Sequence, residues 1–216
     1  RKITYLAEPG DAVPAYLLIP HHRKKRAPAV LCLHQTVKIG KEEPVGMGGK
    51  PNLRYAHELA ERGYITLAPD YPNFGEYKID VYAKGYASAT MKGIFNHIRA
   101  VDLLVSMPEV DAKRIGVTGR SGGGAYSWWI AATDERIACA IPVAGIADLQ
   151  AHLLEGYPGR FEKGVITGHC DCMFMVNTYR WDFATVAAMI APRPVLLGNS
   201  DADDIFPVPG YRRLAE

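Results

Sequence analysis

No apolar run in this chain approaches the roughly 20 residues that a membrane-spanning helix requires, so a helical membrane protein is not expected. Net charge is scarce as well. Lys and Arg number 25 against 23 Asp and Glu, a balance of +2, and a nucleic-acid partner is not expected from so even a composition. Cysteine is sparse. Cys32 and Cys139 stand in apolar, strand-like runs, where a thiol serves as a small core side chain. Cys170-Asp171-Cys172 beside His169 offers two thiols and an imidazole, yet zinc needs a fourth ligand and no second Cys/His pair at zinc-like spacing is present. No metal is expected. The opening residues, Arg1-Lys2-Ile3-Thr4-Tyr5-Leu6, read as a strand and lack the apolar core of a secretory leader; secretion to the periplasm or outside would imply that one has been cleaved. Repeats, low-complexity tracts and linkers are absent too, and no histidine follows Asp203.

What is present is enough for one domain: 216 residues, 48% of them hydrophobic. Lys2–Ala7 and Val13–Ile19 flank Glu8-Pro9-Gly10-Asp11, the pattern of an antiparallel hairpin. The basic run from His21 to Arg26 joins that hairpin to a buried-strand pattern, Ala27–Leu33, which ends in His34-Gln35-Thr36. After a glycine-rich loop, Leu53, Ala56, Leu59 and Ala60 recur at helical spacing and Gly63 closes that helix. Tyr64–Ala68 is the next strand, and the segment around Tyr71-Pro72-Asn73-Phe74-Gly75 reads as an ordered loop near a cleft. From Ser88 to Ser106, Met91, Ile94, Phe95, Ile98, Val101, Leu104 and Val105 predict the apolar face of a helix. Strands follow at Arg114–Thr118, Ala138–Val143 and Val195–Leu197, with helices at Asp182–Ile190 and from Pro209. Residues 150–180 lack periodicity and suggest short helices and a lid-like insertion. Strand and helix patterns that alternate in this way predict an α/β fold, a mostly parallel sheet with helices on both faces.

The chemistry concentrates at Gly119-Arg120-Ser121-Gly122-Gly123. A β-branched strand meets Gly-x-Ser-x-Gly and turns directly into a helix, Ala125 to Thr133. An apex serine in a strained turn needs glycine on both sides, because strand and helix backbones approach each other there. The helix start also directs N–H groups toward the space above Ser121, where an anion would develop. Gly122, directly after the nucleophile, supplies one such donor.

With Asp134-Glu135-Arg136-Ile137, Ala140-Ile141-Pro142 and Ala191-Pro192-Arg193-Pro194-Val195-Leu196-Leu197, this elbow resembles the α/β-hydrolase superfamily. The chain is most similar to its carbohydrate-esterase-like members: acetyl xylan esterases, glucuronoyl esterases and enzymes of the dienelactone-hydrolase type. The resemblance covers nearly the whole chain. It implies a serine esterase whose catalytic triad runs Ser, then acid, then His along the chain, with no organic cofactor and with a small-molecule or carbohydrate ester as partner. The Ala-Asp-Asp-x-x-Pro portion of the 199–207 loop matches the acid loop of related hydrolases, which implies Asp203 as acid, with Asp148 the alternative position and Asp201 and Asp204 shaping the loop. The family's His-Gly-x is here His34-Gln35-Thr36, so the second oxyanion donor is expected from Thr36 with Gln35 beside it. His34 then matches the histidine that supports that loop.

The base is the gap. His21 and His22 fall at the wrong edge, His57 and His97 lie in helices, and His152 has no motif around it. His169, in the irregular segment, is the one that is free to overhang the cleft. The leading expectation is a domain, residues 1–216, cut before a last strand and its histidine, with an exposed sheet edge as the consequence; substitution by His169 is the second. Arg120 is open between holding a substrate carboxylate and bracing the elbow by a salt bridge. Trp181 and Arg180 are candidates for sugar stacking and carboxylate binding, whereas Trp128 and Trp129 read as core. The activity implied is hydrolysis of carboxylic esters, on acylated or uronic-acid-esterified carbohydrate. The other readings are a peptidase of the prolyl-oligopeptidase type, which normally adds a propeller domain, and a non-catalytic binding module. An elbow built on Ser rather than Asp or Cys disfavours the dehalogenase and thiol-hydrolase branches.

Overall fold

The computed structural model describes residues 1–22, 25–155, 181–203 and 205–216. Within them one mixed sheet is built from β1 (Lys2–Glu8), β2 (Asp11–Leu18), β3 (Ala27–Leu33), β4 (Ile65–Pro69), β5 (Val110–Arg120) and β6 (Ile137–Val143), in the order β1-β2-β4-β3-β5-β6. The first two strands form the expected hairpin, turned at Gly10 with φ +74°, and β2 pairs antiparallel with β4. From β4 through β3 and β5 to β6 every pairing is parallel. Helices α1 (Tyr55–Glu61), α2 (Ala89–Ser106), α3 (Gly122–Thr133), α4 (Phe183–Ala188) and α5 (Val208–Ala215) complete the fold.

The side-chain alternation of the central strands explains the layering. In β3, Ala29, Leu31 and Leu33 join a core shared with α2 and α3, while Val30 and Cys32 face Ala56, Tyr55 and Leu59 of α1. A strand buried on both faces has no polar side, which is why β3 and β4 read as continuous apolar runs. Trp128 is fully buried and Trp129 packs against the same core, as expected.

Two expectations need correction. Helix α2 has the predicted span and Ser88 caps it through Met91 N–H, but its inward face is rotated from the one read in the sequence. Met91 is 54% exposed, and the buried positions are Thr90, Lys92, Gly93, Asn96, His97, Ala100, Val101 and Leu104. The reason is long-range: Lys92 pairs with Glu8 and Asp11 of the hairpin, and the Tyr5 hydroxyl donates to Asn96 O at 3.1 Å. Ile94, Phe95 and Ile98 pack only at the margin of the core. Second, Val195–Leu197 does not form a full strand. It makes two parallel bridges to β6, Ala140 with Val195 and Val143 with Gly198, and Leu196 remains 64% exposed. Of the segment 150–180, the described residues end in a π-helical turn, Ala151–Glu155; the expected lid lies outside the described residues, with His169, Cys170, Cys172 and Arg180.

Candidate active site

Strand β5 ends at Arg120 and α3 begins at Gly122, so Ser121 alone makes the turn. Its φ is +56° with ψ −118°, a left-handed conformation that costs a residue bearing a Cβ about 1–3 kcal/mol. The surroundings impose it. Ser121 N–H donates to Val143 O at 2.9 Å, and Ser121 O accepts from Ala125 N–H at 2.9 Å. A Cβ on Gly119 or on Gly123 would collide with the Leu33 carbonyl of β3. Two further glycines take part that the sequence reading did not single out. Gly124 and Gly145 lie backbone to backbone, a Cβ on Gly124 reaching 2.5 Å from Val143 O, and Trp128 Nε1–H holds Gly145 O at 3.0 Å. A glycine two residues after the end of β6 was the available signal. Gly122 is the first residue of α3, so its N–H belongs to the set that no intrahelical carbonyl satisfies.

Ser121 opens on a cleft of about 350 Å³ whose lining includes Arg120, Ala144, Ser200, Asp203 and Phe206. Larger cavities of about 520 and 460 Å³ lie elsewhere, one lined by His21, His22 and His57 and the other by Tyr55, Thr118 and Cys139; neither reaches Ser121.

The two candidate carboxylates differ sharply. Asp203 Oδ1 accepts the N–H groups of Ile205 (2.9 Å) and Phe206 (3.1 Å), and among the described residues no donor meets Oδ2. Asp148 is buried and fully engaged: Arg213 donates to both of its oxygens and Ala151 N–H reaches Oδ1 at 2.8 Å. Burial alone would raise its pKa, but the bonds from Arg213 and Ala151 outweigh that and hold it below the ordinary value. The loop-shaping expected of Asp201 falls instead to Asp203 and to Ser200, whose Oγ accepts Ala202 N–H at 3.2 Å; Asp204 lies outside the described residues.

Beside the elbow, where a Cβ on Gly123 would lie 2.7 Å from His34 O, His34 is fully buried and stacks on Tyr71 at 3.6 Å. Its Nε2 accepts Tyr71 N–H at 3.4 Å, which leaves Nδ1 as the protonated nitrogen donating to Gln35 O at 2.6 Å. Burial pushes its pKa down to about 4, so it is neutral, and both nitrogens are occupied. Gln35 O accepts Val37 N–H as well, at 2.7 Å. In a trans peptide C=O and N–H point in opposite directions, so the Thr36 N–H is turned away from His34. Beneath this loop, Lys41 and Asp70, both without solvent exposure, pair at 2.8 Å, and Lys41 also reaches Glu76 at 2.8 Å. Lys41 N–H and Glu76 N–H complete the Asp70 carboxylate, which ties the loop after β3 to the loop after β4. This buried pair was illegible in the sequence, where Lys41 sits in a glycine-rich stretch.

No described histidine lines the Ser121 cleft. His97 is fully buried in α2, edge-on to Tyr71 and Tyr126, with its pKa pushed down to about 3 by burial. His152 is buried edge-on to Phe183 and Phe206, and His57 is half exposed near Glu61. Arg120 forms no ion pair among the described residues; its Nη1 donates to the Gln35 side-chain oxygen at 2.7 Å. Trp181, half exposed before α4, is not among the described residues of the cleft wall. Among the described residues no cluster of His, Cys, Asp or Glu is placed to hold a metal, and no helix is long and apolar enough to cross a membrane.

Comparison with known proteins sets this geometry in a family. YtaP of Bacillus subtilis, named as a hydrolase, is 29% identical over 217 residues, covering 94% of this chain and 70% of its own. In fold, a glucuronoyl esterase of carbohydrate esterase family 15 from Caldicellulosiruptor kristjansonii superimposes with a TM-score of 0.69 at 18% identity, over 94% of this chain and 61% of that one. The acylaminoacyl peptidase of Pyrococcus horikoshii does so with 0.72 at 19% identity, over all of this chain and 34% of that one. Esterases and peptidases thus share the fold, and the chain spans about a third to two thirds of these structures. Residues 52–215 match the prolyl oligopeptidase family. The chain therefore belongs to the prolyl oligopeptidase family of serine hydrolases, within the α/β-hydrolase superfamily.

Proposed function

We propose that this chain is a single α/β-hydrolase domain that hydrolyses carboxylic esters through an acyl-enzyme on Ser121. The observation that carries the reading is the strained φ of Ser121, held by glycine contacts to β3 and facing the same cleft as Asp203. Strain of this kind persists only where surrounding structure enforces it, and an exposed nucleophile is the use that repays it. Asp203 is assigned as the acid: one oxygen is fixed by the loop and the other is available to orient an imidazole. Gly122 N–H and Thr36 N–H are assigned as the oxyanion donors, with Gln35 beside them. His169 is the candidate base within these residues, second to a histidine supplied from beyond Glu216. Acylated or uronic-acid-esterified carbohydrate is the proposed substrate class. The glucuronoyl esterase fold supports it, with Arg180 and Trp181 as the candidate contacts for carboxylate and sugar.

A peptidase of the prolyl-oligopeptidase type is the second reading, favoured by the family match itself. A silent scaffold is the third. Labelling with a fluorophosphonate probe, read by intact mass on the wild type and on Ser121→Ala, tests the nucleophile. A single adduct that disappears in the alanine variant is expected; an unlabelled wild-type chain would sink the catalytic reading for these 216 residues. Relative rates on p-nitrophenyl acetate and on acyl-peptide p-nitroanilides then separate esterase from peptidase.

A further inference from the structure

The residue that precedes the nucleophile and the residue that precedes the proposed oxyanion donor are joined by an arrangement that neither the family match nor the elbow motif requires. Arg120 Nη1 donates to Gln35 Oε1 at 2.7 Å, and Gln35 Nε2 donates to Glu43 Oε1 at 2.9 Å. Glu43 is 2% exposed and makes no ion pair among the described residues; its further contact is a long bond from Lys50 N–H, 3.4 Å. A buried carboxylate without a counter-charge is costly. Here the cation sits one amide away. The Gln35 amide lies between guanidinium and carboxylate with its oxygen toward the positive end and its nitrogen toward the negative end. Flipping it would set NH₂ against Arg120 and C=O against Glu43, so charge at both ends dictates one orientation.

We propose that Arg120 is a positioning residue which, through Gln35 and Glu43, sets the Gln35–Thr36 peptide in register with Ser121. The proposal rests on the serine-hydrolase reading above. Gln35 is gripped four times: its carbonyl by His34 Nδ1–H and Val37 N–H, its side chain by Arg120 and Glu43. The first pair fixes the direction of the peptide. The second ties its position to the elbow, so that Gly122 N–H and Thr36 N–H keep a constant separation on either side of the acyl oxygen. Oxyanion donors act through placement in the transition state, so loosening one lowers kcat while leaving substrate binding alone.

The test exploits a charge-neutral exchange. Gln35→Glu places a second carboxylate against Glu43, whereas Gln35→Glu with Glu43→Gln exchanges amide and acid, keeps the net charge and restores both hydrogen bonds. With p-nitrophenyl acetate as substrate, Gln35→Glu is expected to lose about 10-fold or more in kcat with KM within about twofold, and the exchanged pair to return within about threefold of wild type. Arg120→Met is expected to lose kcat similarly, and to add no further loss on top of Gln35→Leu. Melting temperatures accompany each variant. If Gln35→Glu fails to fold, the exchanged pair and Arg120→Met still report. An exchanged pair as slow as Gln35→Glu, singles with unchanged kcat, or losses carried by KM would overturn the relay while leaving a working serine hydrolase. A wild-type chain that neither hydrolyses the ester nor takes a fluorophosphonate would overturn both.

Discussion

The two walls of the cleft are built by different means. On the elbow wall, Ser121 is held by backbone: strand pairing on both sides of β5, the carbonyls of Leu33 and Val143, and glycines that no side chain can replace. On the acid wall, Asp203 stands in a loop that follows an edge segment joined to β6 by two bridges, with Val195 and Leu196 facing outward. The elbow is over-determined because its position depends on contacts that all belong to one sheet core. The acid wall depends on side chains, the Asp203 turn and the Asp148–Arg213 pair that anchors α5. Nucleophile placement should therefore tolerate no change in backbone volume, while the acid wall should tolerate substitution in stability and still lose chemistry.

The sharpest break in that comparison is expected at Asp203. Asp203→Asn keeps an oxygen for the Ile205 and Phe206 N–H groups, so the melting temperature should stay near wild type. The rate of serine labelling should fall by about 10³–10⁴-fold, the usual cost of losing the orienting acid. The same change at Asp148 should do the reverse, lowering the melting temperature while labelling persists. Labelling lost at Asp148 and kept at Asp203 would exchange their roles. Next in size is Gly123→Ala. Its Cβ would collide with the Leu33 carbonyl, backbone against backbone, so a loss of about 3–5 kcal/mol in chemical denaturation is expected. A loss under 1 kcal/mol would mean that the elbow is not clamped as described. The smallest effect is a gain. Ser121→Gly relieves the left-handed strain and should raise stability by about 1 kcal/mol as the nucleophile is lost. An unchanged or lowered stability would remove strain from the account.

Much of this was legible before any coordinates. The hairpin, the parallel core strands and the elbow announce themselves through short-range patterns: alternation, continuous apolar runs and Gly-x-Ser-x-Gly. Helix α2 shows where pattern reading fails. Its apolar spacing predicts one buried face, but Lys92 turns inward because Glu8 and Asp11, more than 80 residues earlier, wait there as counter-charges. Nothing local marks a lysine as buried. The same holds for Lys41 and Asp70, and for the Gln35 amide between Arg120 and Glu43. Arg120 was open between a substrate carboxylate and a salt bridge; its partner is a neutral amide, an option that only spatial proximity could supply.

By itself, then, the sequence determined the backbone chemistry of the nucleophile: where the chain must turn, which positions must lack a Cβ, and which serine sits at the apex. These follow from sterics over a few residues, and such constraints are local. The tertiary structure decided which carboxylate is already paired and which keeps an oxygen without a donor among the described residues, which way α2 faces, and what the arginine beside the serine holds. Those outcomes depend on charges brought together from distant parts of the chain, and their energy is set by burial, which one-dimensional order does not record.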